Sequence, residues 1–245
     1  MTSETQERRP VLSVVMPAYN EERGIAVVIS AWMAELDRLG IDYEFLVYDD
    51  GSRDKTGRVL AELAAGRPRL TARSQPNRGH GPTILSGYRE ARGEWVFQTD
   101  SDGEMAPAGF EALWNHREQY DFLVGYRQHR RSAFTRRIVT AASRLVVWVL
   151  FGRGVRDVNS PYRLMRRSCL TAMLRLLPET AFAPNVIVSG LAGRMRLRTY
   201  EAPVPHCGQR TVTVSLDKWK LWETAARCFV ETAGVALRTS LKGTG

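Results

Sequence analysis

The stretch Trp95-Val96-Phe97-Gln98-Thr99-Asp100-Ser101-Asp102-Gly103-Glu104 decides how the rest of the chain is read. A short apolar run stops, and two carboxylates two residues apart follow it. Side chains alternate along a strand, so acidic residues at that spacing beyond a strand end point the same way. Paired carboxylate oxygens suit a hard divalent cation. Mg²⁺ commonly takes one or two protein carboxylates and completes its shell with substrate phosphates. Taken alone, Asp-x-Asp reads more simply as a solvated acidic turn, so the neighbouring sequence has to decide.

Upstream, apolar and mixed segments alternate. Val11 to Met16 is β-branched and ends at Pro17, as a buried strand does. Asn20 then reads as an N-cap, with Glu21 and Glu22 in the first turn of a helix running to about Leu39 and stopped by Gly40. Glu44 to Tyr48 is a second strand, ending in the acidic turn Asp49-Asp50-Gly51-Ser52-Arg53-Asp54 and a helix to about Ala65. Leu70 to Arg73 reads as a third strand, Asn77 to Pro82 as a glycine-containing loop, Thr83 to Arg92 as a helix, and Glu94 to Gln98 as the fourth strand. Strand–helix alternation of this kind predicts a doubly wound, mostly parallel α/β sheet with helices on both faces. Ligands of such sheets bind beyond the carboxyl ends of the strands. Two sequence-distant acidic turns, Asp49-Asp50 and Asp100-Ser101-Asp102, are both placed there.

The second half differs. Phe110 to Tyr120 reads as a helix and Phe122 to Gly125 as a short strand. Arginines then accumulate at 127, 130, 131, 136, 137 and 144, ahead of an apolar run containing Trp148 and Phe151. Thr135 to Phe151 is expected to form a helix with a basic start and an apolar end. Such a helix either lies in a membrane interface or packs as a core helix with a solvated arginine face. Ser215 to Leu241 reads as one or two helices carrying Trp219, Trp222 and Phe229. The expected organisation is a disordered tail over 1–10, one α/β domain over 11–212, and a C-terminal helical tail over 213–245.

Composition narrows the partners. Of 245 residues, 44% are hydrophobic and 25% charged, an ordinary globular balance. The net charge of +9 implies an anionic partner: nucleic acid, anionic lipid or a phosphorylated substrate. No helix-turn-helix, zinc-finger or RNP signature is present, which argues against nucleic acid. Cys169, Cys207 and Cys228 form no CxxC pair and no zinc spacing, as expected for thiols in a reducing compartment. No apolar leader opens the sequence, and the longest apolar run, Leu145 to Phe151, is far short of the ~20 residues a spanning helix needs. The expectation is a cytoplasmic protein, peripheral at the inner membrane face or free of it.

The motifs stand in order as Val15-Met16-Pro17-Ala18-Tyr19-Asn20-Glu21, Val47-Tyr48-Asp49-Asp50-Gly51-Ser52, Asn77-Arg78-Gly79, Asp100-Ser101-Asp102-Gly103, Gly125-Tyr126-Arg127 and Asp157-Val158-Asn159-Ser160-Pro161-Tyr162-Arg163. Over residues 11–212 this resembles an inverting family 2 glycosyltransferase of the GT-A (Rossmann-like) fold. Within that family it is most similar to the dolichol-phosphate mannosyltransferase and polyprenyl-phosphate sugar transferase group. The resemblance implies roles. Pro17, Tyr19 and Glu21 would cradle base and ribose. Asp49 or Asp50 would orient the nucleotide. Asp102 would ligate Mg²⁺ or Mn²⁺, with Asp100 on the ribose or the metal's water shell and Glu104 as a third ligand. Asp157 would act near the acceptor, as general base or as a positioning group. Arg127, Arg163 and Arg210 would bind an acceptor phosphate.

The chemistry separates two acceptors. A phosphate monoester has a second pKa of about 6 and is already largely deprotonated near neutrality, so it needs cations beside it more than a base. A sugar hydroxyl needs the base. Guanidinium groups hold phosphate through paired hydrogen bonds, so the arginines favour a polyprenyl phosphate. The alternative is the same nucleotide-sugar donor with a soluble hydroxyl acceptor. Two departures from the family pattern fall in the acceptor half. Gln209-Arg210-Thr211-Val212-Thr213-Val214-Ser215 lacks the glycine and lysine that usually follow the arginine, and Pro161 stiffens a loop that usually carries glycine there.

Overall fold

The computed structural model describes residues 9–127, 144–152, 155–205 and 218–241. Four parallel strands form one half of the sheet: β1 (Leu12–Ala18), β2 (Tyr43–Asp49), β3 (Leu70–Ser74) and β4 (Trp95–Gln98). β5 (Phe122–Arg127), β6 (Arg163–Arg166) and β7 (Thr199–Val204) complete the order β3-β2-β1-β4-β6-β5-β7. β6 runs antiparallel to both its neighbours, and β7 is parallel to β5. β1 and β2 are buried along their whole length, as strands covered on both faces must be.

The pleat sorts the side chains into two cores. Val14, Met16, Phe45, Val47 and Phe97 face α1 (Ile25–Arg38), α2 (Thr56–Ala65) and α4 (Phe110–Trp114). Trp32, Phe97, Phe110 and Tyr162 form an aromatic cluster there, with Phe97 4.9 Å from Tyr162 between ring centroids. Val15, Leu46, Val96, Phe122 and Val124 face the other side, covered by α3 (His80–Glu90), α5 (described over residues 144–151), α6 (Arg167–Leu174), α7 (Pro184–Arg194) and α8 (Lys218–Leu241). α8 is one helix, and it docks through Val235 and Ala236 into the same core as α7. Arg194 on α7 donates to Ala236 O at 2.7 Å and to Leu150 O at 2.6 Å, joining α8 to α5. No helix among the described residues is long and apolar enough to cross a membrane.

Several elements depart from the sequence reading. Asn20 does not cap α1, which begins at Ile25; Asn20 takes a left-handed backbone (φ 55°) that asparagine tolerates, and its side chain serves the neighbouring loop. The helix expected over 110–120 ends at Trp114, where Arg117 donates to Trp114 O at 2.9 Å and lies over the indole ring. β6, β7, α6 and α7 were not anticipated. Except for Arg9 and Pro10, the expected N-terminal tail lies outside the described residues, as do Cys207, most of the arginine run and the side chains of Trp219 and Trp222.

Candidate active site

β1, β2 and β4 all deliver their carboxyl ends to one edge, and β6, running the other way, begins there. Register fixes this: Ala18 pairs with Asp49, Val15 with Gln98, and Gln98 with Arg163. Strand order reverses between β1 and β4, which is where open α/β sheets form a ligand crevice. The acidic turns, Arg127 at the end of β5 and the Asp157 loop before β6 therefore share one cleft edge.

The loops after β1 and β2 are stapled together. Asn20 N–H donates to Ser52 Oγ at 2.9 Å, Arg53 N–H donates to Asn20 Oδ1 at 2.8 Å, and Glu21 N–H donates to Thr56 Oγ1 at 2.8 Å. Tyr19 stands exposed at the rim, whereas Pro17 is buried inside β1 and shapes the strand end. Asp49 accepts from Ser52 N–H at 3.0 Å. Asp50 accepts Arg78 N–H (2.9 Å), Gly79 N–H (2.8 Å) and Gln75 Nε2 (3.0 Å). Burial works to raise its pKa, but these donors outweigh it and hold Asp50 below the usual carboxylate range. Both Asp50 oxygens are thus engaged by the 75–79 segment, so its structural part is to hold that loop. Gly51 is required here, since its φ is 69° and a Cβ would lie 2.7 Å from Asn77 N.

The two carboxylates of the opening motif are shifted in opposite directions. Asp100 Oδ1 lies 3.2 Å from His80 Nε2. Burial works to raise the Asp100 pKa, but the His80 hydrogen bond and the positive field of Arg127 and Arg163 carry it below the usual value. Asp102 is pushed up to about 6, first by burial and then by the Asp100 charge. Glu21 is raised as well, by burial and by Asp102 and Asp54, which places it in the same negative field. Carboxylates whose repulsion and burial disfavour ionisation form a place a divalent cation would relieve, and the oxygen donors suit Mg²⁺ or Mn²⁺. The third expected ligand turns elsewhere: Glu104 Oε2 is 3.8 Å from Arg127 Nε. Among the described residues, no group of three or more His, Cys, Asp or Glu side chains is gathered to hold a metal.

Across the cleft, Arg127 Nη1 is 3.2 Å from Asp157 Oδ2, and both side chains are largely buried. Gly125 lets β5 pack closely against Val204 of β7 and the Tyr162 ring. A Cβ there would come within 2.5 Å of Val204 and 2.7 Å of the Tyr162 ring. Ser160 Oγ donates to Gly125 O at 2.5 Å, tying the Asp157 loop to β5. Arg163 is a correction. It is fully buried, and its guanidinium donates to the backbone carbonyls of Ser160, Asn185 (3.0 Å) and Val158 (3.4 Å). It anchors the loop from behind and does not face an acceptor. Arg210 lies outside the described residues. His80 was missed by sequence reasoning; only its place in the loop after β3, at the same strand edge, could have flagged it.

Residues 13–175 match the family model described as glycosyl transferase family 2. The chain belongs to that family. As a family 2 glycosyltransferase it is 28% identical over 213 residues to the undecaprenyl-phosphate 4-deoxy-4-formamido-L-arabinose transferase of Pectobacterium atrosepticum, covering 86% of this chain and 64% of that one. It is 32% identical over 202 residues to the protein of the same name from Edwardsiella ictaluri, covering 80% and 59%. The chain thus spans about three fifths of the length of these relatives. The GT-A fold is shared with solved glycosyltransferases. Mycobacterium tuberculosis glucosyl-3-phosphoglycerate synthase, solved with Mn²⁺, UDP and phosphoglyceric acid, superposes at TM-score 0.66 and 20% identity over 93% of this glycosyltransferase and 78% of that chain. The Pyrobaculum calidifontis mannosyltransferase, solved with GDP-Man and Mn²⁺, gives 0.62 and 19% over 95% and 65%.

Proposed function

We propose that this glycosyltransferase moves a sugar from a UDP- or GDP-linked donor to a polyprenyl phosphate, with inversion at the anomeric carbon and with Mg²⁺ or Mn²⁺. The observation that carries the reading is the facing of two unlike halves across one strand edge. Asp100 and Asp102 lie on one side and the Arg127–Asp157 pair on the other. The names of the sequence relatives point to the same acceptor class.

The residues then divide the work. Tyr19 and Glu21 line the nucleotide side, with Asp49 and Asp50 keeping the loops around it in place. Asp102 would hold the cation, with Asp100 on the ribose or the metal's water shell; the cation's chemistry when bound is to neutralise the departing diphosphate. Arg127 offers guanidinium donors to the acceptor phosphate, with Asp157 fixing the guanidinium plane. An acceptor already deprotonated asks Asp157 for orientation more than for proton removal. Anchoring near a lipid substrate fits α5, where Leu145, Trp148 and Val149 are each at least 60% exposed beside Arg144 while Val147 and Phe151 are buried. An apolar stripe with basic neighbours on a strongly cationic chain suits an anionic membrane surface.

The test is a donor screen with undecaprenyl phosphate that reads released nucleotide and lipid-linked product together. A lipid-linked sugar from one donor is the expected result. Sugar transfer only to soluble hydroxyl acceptors would overturn the acceptor assignment.

A further inference from the structure

His80 belongs to none of the paired motifs, yet among the described residues its side chain lies within hydrogen-bond distance of Asp100. His80 Nε2 lies 3.2 Å from Asp100 Oδ1, so the tautomer protonated on Nε2 donates to that carboxylate. The backbone on both sides of His80 is fixed. Asp50 takes the amides of Arg78 and Gly79, Thr83 Oγ1 donates to Gly79 O at 2.9 Å, and Gly81 is packed so closely on Ala181 and Phe182 that a Cβ would clash with their carbonyls. A connected path therefore runs from the acidic turn after β2, through the 77–80 loop, to the acidic turn after β4. Asp102 is held separately, accepting Glu104 N–H at 2.9 Å, so the two carboxylates have different partners.

We propose that His80 is a positioning residue that sorts these two carboxylates. By fixing Asp100 it assigns that residue to the nucleotide ribose and leaves Asp102 as the protein's direct metal ligand. This rests on the nucleotide-sugar reading above. The ring is half-exposed, and replacing it leaves no core cavity.

The experiment measures Mn²⁺ binding by electron paramagnetic resonance and UDP or GDP binding by calorimetry at saturating Mn²⁺, on wild type, His80→Ala and His80→Gln. Glutamine can place an amide N–H where Nε2 stands. In His80→Ala, nucleotide binding is expected to weaken by about tenfold, the worth of one hydrogen bond to a charged group. His80→Gln should recover to within about threefold, and Mn²⁺ binding without nucleotide should stay within about twofold in both. Equal losses in both variants would mean that the ring only fills space. No loss in His80→Ala, or Mn²⁺ binding weakened in step with nucleotide, would equally overturn the sorting role. A wild-type protein that binds neither UDP nor GDP with Mn²⁺ would bring down the nucleotide reading itself, and this inference with it.

Discussion

Arg127 and Asp157 are 30 residues apart in the chain and 3.2 Å apart across the cleft, with 12% and 14% of their side chains exposed. A pair this secluded holds its geometry better than a surface ion pair. Arg127→Ala should raise KM for polyprenyl phosphate by roughly ten- to a hundredfold, the range for a lost hydrogen bond to a charged group. The KM for the nucleotide-sugar should move by less than about threefold. Steady-state kinetics with both substrates varied check this, and equal losses on both would remove the acceptor role.

Asp157→Asn separates base from positioning group. With a phosphate acceptor, kcat should fall by less than about tenfold, because little proton transfer is required of the side chain. A fall of roughly 10²–10⁴, the usual contribution of a general base, would point to a hydroxyl acceptor instead.

Asp102 gives a pH-dependent stability signature. Its folded-state pKa is about 6 against an ordinary 3.8, so the native state binds its proton more tightly than the unfolded chain does. Stability from this group is therefore full below about pH 4 and lost as pH rises toward 6. With partial solvent screening the cost at pH 7 is about 1–2 kcal/mol. Asp102→Asn should accordingly raise the metal-free melting temperature at pH 7 by a few degrees. Metal-dependent turnover should be abolished. Mn²⁺ should stabilise the wild type and not the variant in thermal melts. Near-normal turnover of Asp102→Asn would refute its assignment as metal ligand.

Arg163 makes the opposite prediction. Arg163→Met leaves the carbonyls of Val158, Ser160 and Asn185 without their donors, which should cost roughly 2–5 kcal/mol. Denaturant unfolding should show the loss. Melting unchanged, together with a raised acceptor KM, would restore Arg163 as a ligand.

The exposed stripe of α5 is tested with vesicles. Trp148→Glu combined with Val149→Glu should reduce co-sedimentation with anionic phospholipid vesicles at least tenfold, since each apolar side chain contributes about 1.5–3 kcal/mol when buried. Activity on a short-chain, water-soluble polyprenyl phosphate should persist. Unchanged vesicle binding would place the membrane contact elsewhere.

The alternation over the first hundred residues was legible because those strands carry continuous apolar runs and the helices end at glycines. The later elements were hidden for identifiable reasons. α7 is buried on nearly all sides, so no polar face marks its period. β6 has four residues with arginine at each end, a composition that reads as a solvated turn. The shared edge of the two acidic turns was legible because strand-end placement predicts it, whereas Arg127 entered the site only through the family resemblance. Arg163 misled because arginine usually seeks water or an anion, and nothing local reveals three carbonyls waiting behind it. His80 stayed hidden because its partner lies 20 residues away, across two strand ends.

The reversed direction of β6 has an architectural corollary. β5 ends at Arg127 and β6 begins at Arg163, while Val124 and Arg163 are register partners, so the intervening chain departs from and returns to nearly the same point. Its described part is anchored on the way: Val147, Phe151, Val155 and Val158 are buried in the core shared with α7, and Ser160 is tied to Gly125. A volume change in that buried face is therefore transmitted to the Arg127–Asp157 pair, so packing beneath the sheet and geometry in the cleft are mechanically one unit.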